Sequence, residues 1–424
     1  MLRSMFSGVS GLRSHQTMMD VVGNNIANVN TTGYKSSSVI FGDTLSQLTT
    51  SAAAPQNGVG GTNPAQVGLG VRVNAVTNNF TQGSAQTTGK ATDMMIQGDG
   101  FFVVKQGEAS FYTRAGSFSL DTDGNLITPD GSYVQGWTAS GVDGTVNANQ
   151  PTGRLNVPVG KILPSTPTDK ATIGGNLDPS SSIVPPATTA SNDGVATTAF
   201  TAYDALGTAH LVTGTFTQDS TDATKWSVAF TYPGQSTADA ADATANLVFS
   251  AAGKPDTGSD ASATVKVNGV DVVVDLSTLT GFDSPGGAGI KGGKSEITQG
   301  ANGAPVGTLT SFTLNPDGTL TGAFTNGMKS TLGQVAIATF NNPAGLEKSG
   351  NSMFTVTTNS GAAQVGVANA GGRGKLLGGQ LEMSNVDLSN EFTNLILAQR
   401  GFQANSRIIT ASDEILQDVV NLKR

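Results

Sequence analysis

Helical periodicity marks both ends of this chain, while its long middle reads as short strands and turns, so a fold must set a β-rich body between two terminal helices. At the start, Leu2, Met5, Val9, Leu12, Met19, Ile26 and Val29 follow a 3,4 alternation broken only by Gln16 and Gly23. That spacing makes one stripe of a helix and resembles a coiled-coil seam. The helix is poorly built to stand alone, because Gly8, Gly11 and Gly23 each cost about 1 kcal/mol relative to Ala. Asn28, Asn30, Thr31, Thr32 and Gly33 then stop it. It needs a partner.

The partner is expected at the other end. Leu388, Phe392, Leu395, Phe402, Ile409, Leu416 and Val420 form a second stripe, with Gln399, Ser406 and Asp413 on the same seam. A helix over 387–422 would run about 54 Å. Ile408, Ile415 and Val419 widen its apolar face beyond what one partner covers. The first 35 residues are net positive and the last 44 net negative, which favours their encounter. Periodicity alone fits equally well an ordinary pair of terminal helices packed on a core.

With 424 residues the chain should hold more than one domain. Its 55 glycines and 13% charged residues suit many short strands and tight turns. The absence of cysteine excludes disulfides, thiolate metal sites and a cysteine nucleophile. A net charge of −8 without a basic cluster argues against nucleic acid. No run approaches the ~18 apolar residues of a membrane span, and the N-terminus has no apolar block like that of a secretory signal. Such a chain is expected to stay in the cytoplasm or to leave by a route that reads no such signal.

Residues 36–70 contain Pro55 and Pro64 among Ser, Thr, Gly and Ala, and are expected to form a mostly irregular connector. A hairpin series over 94–137 is punctuated by Asp99-Gly100, Ala115-Gly116, Asp123-Gly124 and Asp130-Gly131. Seven prolines from Pro151 to Pro186 mark a boundary, and a second β region follows. If the ends pair, the segments inboard of them should pair too, because connections stay short and unthreaded. The expectation is mainly β structure with α-helical termini, in nested, discontinuous β domains. These are terminal helices from 1–35 plus 381–424, a connector from 36–70 plus 369–380, an inner β domain from 71–150 plus 330–368, and an outer β insertion over 151–329.

Catalytic motifs almost form but miss their context. Gly287-Ala288-Gly289-Ile290-Lys291-Gly292 fits G-x-G-x-x-G, yet no strand precedes it and no helix follows, so a loop is expected. Asp121-x-Asp123-x-Asn125 starts like a calcium loop, but Leu126 and Ser132 hold the positions of its glycine and final carboxylate. His15 and His210 have no fixed carboxylate or nucleophile spacing. The expectation is no enzyme, no cofactor and no metal site.

The ends also carry motifs. Asn24-Asn25-Ile26-Ala27-Asn28-Val29-Asn30-Thr31-Thr32-Gly33-Tyr34-Lys35, Ser384-Asn385-Val386-Asp387-Leu388, and Gln399-Arg400-Gly401-Phe402-Gln403-Ala404-Asn405-Ser406 resemble the terminal signatures of the bacterial flagellar rod and hook protein family. Gln97-Gly98-Asp99-Gly100-Phe101-Phe102 and Tyr112-Thr113-Arg114-Ala115-Gly116-Ser117-Phe118 match its inner β domain. Tyr203-Asp204-Ala205-Leu206-Gly207 and Phe340-Asn341-Asn342-Pro343-Ala344-Gly345-Leu346 resemble its hook branch in particular. The resemblance implies a tubular homopolymer whose terminal helices line a channel, placed in the basal body and hook after type III export. It also implies partners: the distal rod protein, the hook cap protein, the hook–filament junction protein and the export apparatus. A distal rod protein and a secreted β-rich adhesin or hydrolase are the alternatives, and an insertion of about 180 residues favours the hook.

Overall fold

The structure is a computed structural model that describes residues 2–55, 60–140, 144–158, 160, 162–178, 195–219, 221–222, 224–235, 243–282 and 296–421. The glycine-rich segment 287–295 and Pro179, Pro185 and Pro186 lie outside the described residues. Helix α1 spans Leu2–Ala27 and α2 spans Leu388–Asn421. Among the described residues, everything regular between them is strand, apart from one turn of 3-10 helix at Pro343–Gly345. The chain forms two compact units, one from Met1–Val159, Phe312–Gly322 and Ser330–Arg424, the other from Gly160–Ser311 and Ala323–Lys329.

In the first unit, Phe101–Gln106 and Ala109–Thr113 form a hairpin. Tyr133–Thr138 joins one side of it and Met353–Thr355 the other. Phe101 through Val104 are all buried, so this central strand has a core on each face. Phe101, Phe340, Phe354 and Tyr112 pack edge to face, with ring centroids 4.9 Å apart for Tyr112 and Phe340. Asp123-Gly124 and Asp130-Gly131 turn the chain with glycine φ near +79°. Ala115-Gly116 does not. A Cβ on Gly116 would stand 1.7 Å from the Met94 carbonyl oxygen, so this glycine permits a close backbone crossing instead of a hairpin.

Residues 36–70 are not the expected irregular connector. Ser37–Asp43 pairs antiparallel with Val71–Asn78, and Ser46–Thr50 pairs with Ala65–Gly68, making one long ribbon. Two strands alone are marginally stable in water, and α1 supports this pair. The Val71 amide donates to Ser10 Oγ at 3.3 Å, and the His15 and Phe41 rings pack 5.7 Å apart. The returning segment is also paired, not a linker: Lys375–Gly378 lies against Met94–Gln97, and Gln380–Glu382 against Ala85–Thr87.

The second unit is a β sandwich. Val195–Tyr203, Ala209–Gln218, Lys225–Thr231 and Thr244–Val248 form an antiparallel meander. The facing sheet holds Ser262–Val267, Val270–Asp275, Lys170–Asn176, Leu279–Thr280 and Glu296–Ala301. Phe200, Val212, Phe216, Trp226 and Phe230 meet Ile173, Val265 and Val272 in one core.

Asp204 ties that sandwich together. Its carboxylate accepts from the Leu206 and Thr208 amides and from Asn268 Nδ2 at 2.9 Å, with His210 Nε2 at 3.3 Å. These bonds, Asn268 first, hold its carboxyl well below the usual carboxylate range. Its contribution is therefore complete above the unfolded value of about 3.9 and is lost as pH falls through the lower folded value. Asp204→Ala should lower the melting temperature of this unit at neutral pH and flatten the acid side of its pH–stability curve. An unchanged acid slope by calorimetry would contradict this.

Candidate assembly site: the terminal helices and their junction

The helices run antiparallel and touch through small and polar residues. Ser4 Oγ lies 3.3 Å from Ser412 Oγ, and Asn25 Nδ2 donates to Glu391 Oε1 at 2.9 Å, near opposite ends of the contact. Between them a Cβ on Gly8 would stand 3.1 Å from Ile409, one on Gly11 2.7 Å from the Asn405 side chain, and one on Gly401 2.5 Å from the His15 ring. Ala398 is fully buried in the contact face. Small residues at these positions let the two backbones approach closely. Gly8 and Gly11, which weaken α1 in isolation, make its pairing possible.

On α1 the apolar stripe lies beside this contact, which corrects the expected seam there, whereas on α2 Ile409 of the expected stripe packs over Gly8. Ser4, Gly8, Gly11, His15, Val22 and Asn25 follow the helical alternation about one residue off the Met5, Val9, Leu12, Met19 and Ile26 series. One residue is about 100° of helix rotation. Met5, Leu12, Met19, Ile26 and Val29 are half-buried, and Val9 is exposed. On α2, Leu395, Ile409 and Leu416 are half-buried, whereas Leu388 and Phe392 are exposed and Phe402 is 36% exposed. The side chains of Leu2 and Val420 lie outside the described residues. Leu388, Phe392 and Ile396 form one exposed strip of α2, and Leu397, Ile408 and Ile415 another on the other flank of the contact face.

Overpacking the contact should separate the helices. Gly401→Val is expected to cost about 1–3 kcal/mol. Gly23→Ala, at a position with nothing within 4 Å, should instead stabilise α1 by about 0.5–1 kcal/mol. Helix unfolding followed by circular dichroism in urea would show the opposite signs; equal effects would contradict the close contact.

Below the pair, the N-terminal signature builds a junction. Asn25, 1% exposed, uses every polar atom of its side chain. Nδ2 also donates to the Ser37 carbonyl, and Oδ1 accepts from Tyr34 OH and the Ser37 amide. Asn28 Nδ2 donates to Asn24 Oδ1, and Thr31 Oγ1 donates to Asn28 Oδ1. Gly33 takes φ +67° where a Cβ would stand 2.4 Å from the Ala115 nitrogen, while Thr32 beside it is half-buried. Asn405 Nδ2 caps the Gly401 carbonyl, while Gln399 and Arg400 face outward.

Sequence reasoning missed the charged centre of this junction. Lys35 Nζ pairs with Glu382 Oε1 at 2.6 Å, with neither side chain exposed. Arg114 Nη1 lies 3.6 Å from Glu382 Oε2 and donates to the Gly98 carbonyl. Burial pulls the Lys35 amine below its ordinary value, with Glu382 opposing. Burial likewise lowers the Arg114 guanidinium, again opposed by Glu382. No periodicity points to Glu382. Only Arg114 and Lys35 sit in legible motifs.

Four family models match the chain: "Flagella basal body rod protein" over residues 5–35, "Flagellar hook protein FlgE/F/G D1 domain" over 95–173, "Flagellar basal body protein FlaE D2 domain" over 169–395, and "Flagellar basal body rod FlgEFG protein C-terminal" over 377–422. The flagellar hook protein FlgE of Treponema pallidum is 37% identical over the whole of both chains. The chain belongs to the flagellar hook protein family. The hook protein FlgE of Salmonella typhimurium is 33% identical over 99% of this chain and all of its own. A Bacillus subtilis protein named flagellar basal-body rod protein FlgG is 32% identical over all of both. The length of the insertion therefore does not separate hook from rod. The Treponema hook relative is the more similar of the two, at 37% identity against 32%. Membership implies self-polymerisation within the flagellar axial structure.

Proposed function

We propose that this chain is the structural subunit of a bacterial flagellar hook, polymerising into a curved, flexible tube that joins rod to filament and transmits torque for motility. The observation that carries this reading is a helix pair closed by glycines that still exposes apolar strips on both flanks of α2. A single chain has no use for such strips, since contiguous exposed apolar surface marks an interaction site. A second copy has the same strips and the same length of helix to cover them. The predicted seam residues then serve assembly between subunits in coiled-coil fashion, and the Asn24–Tyr34 signature fixes the helix pair to the β body.

The role is structural rather than catalytic: the polar clusters described, at Asp204–His210 and Lys35–Glu382–Arg114, brace turns and strands. In the flagellum the subunit would travel through the type III export apparatus and meet the distal rod protein, the hook cap protein and the hook–filament junction protein. A distal rod subunit is the second reading, favoured by the Bacillus relative. Electron micrographs of the purified, assembled chain separate the two. Short curved tubes support a hook subunit, straight rods support the second reading, and discrete particles contradict both.

A further inference from the structure

Glu391 stands in an unusual setting at the neck, the junction where Asn25 joins the helix pair to Ser37 of the ribbon. It lies in the first turn of α2, where Oε1 accepts one hydrogen bond from Asn25. Its Oε2 is buried and has no hydrogen-bond partner among the described residues. An ionised carboxylate so placed has lost water on one oxygen without gaining a donor there, which disfavours the anion.

The surrounding charges do not rescue it. On α2 itself, Asp387 caps the helix by accepting from the Ser389 amide and from Asn390 Nδ2, and brings a second negative charge. In the segment after α1, Tyr34 is bonded to Asn25 Oδ1, and Lys35 is committed to Glu382 at 2.6 Å. From the strand Glu347–Gly350, Lys348 sits 4.8 Å over the Tyr34 ring and donates to Ser37 Oγ and the Lys35 carbonyl. None of the ion pairs among the described residues includes Glu391. The same Asn25 that holds Glu391 also holds Ser37, the first residue of the ribbon, so whatever happens at Glu391 reaches α1, α2 and the ribbon through one side chain.

We propose that the Asn25–Glu391 contact is a proton-operated latch: neutral Glu391 closes the helix pair onto the neck, and its ionisation loosens it. The proposal names a control on the helix pair already read as the assembly element and rests on that reading for its purpose, while the latch itself belongs to a single chain. Burial, and after it the Asp387 charge, raises the Glu391 carboxyl above its ordinary value against the pull of the Asn25 bond. The docked neck therefore binds the proton more tightly than the undocked one. Docking strengthens as pH falls through the raised value toward the ordinary carboxylate value of about 4.3, and weakens as pH rises. This slope is opposite to that of Asp204.

The test is hydrogen exchange of backbone amides 24–30 and 388–395 in the full chain, corrected for chemical exchange, from about pH 7.5 to about pH 5. Wild-type protection should rise severalfold on acidification. Glu391→Gln, which mimics the neutral group, should show the high protection throughout with no slope. Asp387→Asn, which keeps a cap and removes a charge, should move the wild-type rise to lower pH. A flat wild type, or a slope that persists in Glu391→Gln, would overturn the latch. The readout needs no polymer: a latch slope in a chain that forms no tubes would sink the hook reading alone, and tubes without the slope would sink the latch alone.

Discussion

Glu382→Ala is expected to cost about 3–5 kcal/mol of stability, the largest loss of any single substitution considered for this chain. The side chains of Lys35 and Glu382 are fully buried and that of Arg114 is 3% exposed. Removing the carboxylate leaves two cations in a site that solvent cannot reach. Lys35 would keep only the Thr81 carbonyl, and Arg114 the Gly98 carbonyl and the face of the Phe101 ring 5.2 Å away. The damage would spread because Glu382 also accepts from the Gly83 amide and stands in the strand that pairs with Ala85–Thr87. Glu382→Gln keeps an acceptor and should lose less. Urea unfolding of both variants checks this: a loss under about 1 kcal/mol for the alanine variant would mean the group is solvated, as exposed pairs are.

The second large effect should appear mainly on assembly. Phe392 is 50% and Phe402 36% exposed in the single chain, so truncating either should cost the isolated subunit clearly less than the ~3–5 kcal/mol of a fully buried aromatic. Once neighbouring subunits cover these rings, Phe→Ala should cost about 3–5 kcal/mol per subunit, the range for buried aromatics. At about 1.4 kcal/mol per factor of ten, the critical concentration should rise roughly a hundredfold or more. A variant that loses little subunit stability but assembles poorly is the signature of an outward-facing seam. If Phe392→Ala instead weakens the isolated subunit as much as the assembly, the strip serves the fold and not the polymer.

The helices were legible because their apolar positions recur at a fixed period, and the DG turns because glycine is needed at positive φ. The contact between the helices was not. Gly8, Gly11, Ser4 and Asn25 carry no hydrophobic signal, and periodicity favoured the apolar stripe 100° away, which in a lone chain is only half-buried. The ribbon over 37–78 was missed for a related reason: its outer strands, Ser46–Thr50 and Ala65–Gly68, are exposed throughout and show no alternation. Lys35, Arg114 and Glu382 lie far apart in sequence, and a lone charge is normally solvated. Only the nesting of the chain brings these three together.

Whether apolar burial between subunits drives assembly is most directly tested by the critical concentration of the wild type, Phe402→Ala and Arg13→Gln, each at low and high ionic strength. Arg13 is exposed on α1, and exposed ion pairs contribute only ~0–1 kcal/mol and are screened by salt. Phe402→Ala should raise the critical concentration steeply at both ionic strengths, while Arg13→Gln should matter little and only at low salt. If Arg13→Gln proves the more damaging at both, assembly is electrostatic and the account of an apolar seam is wrong.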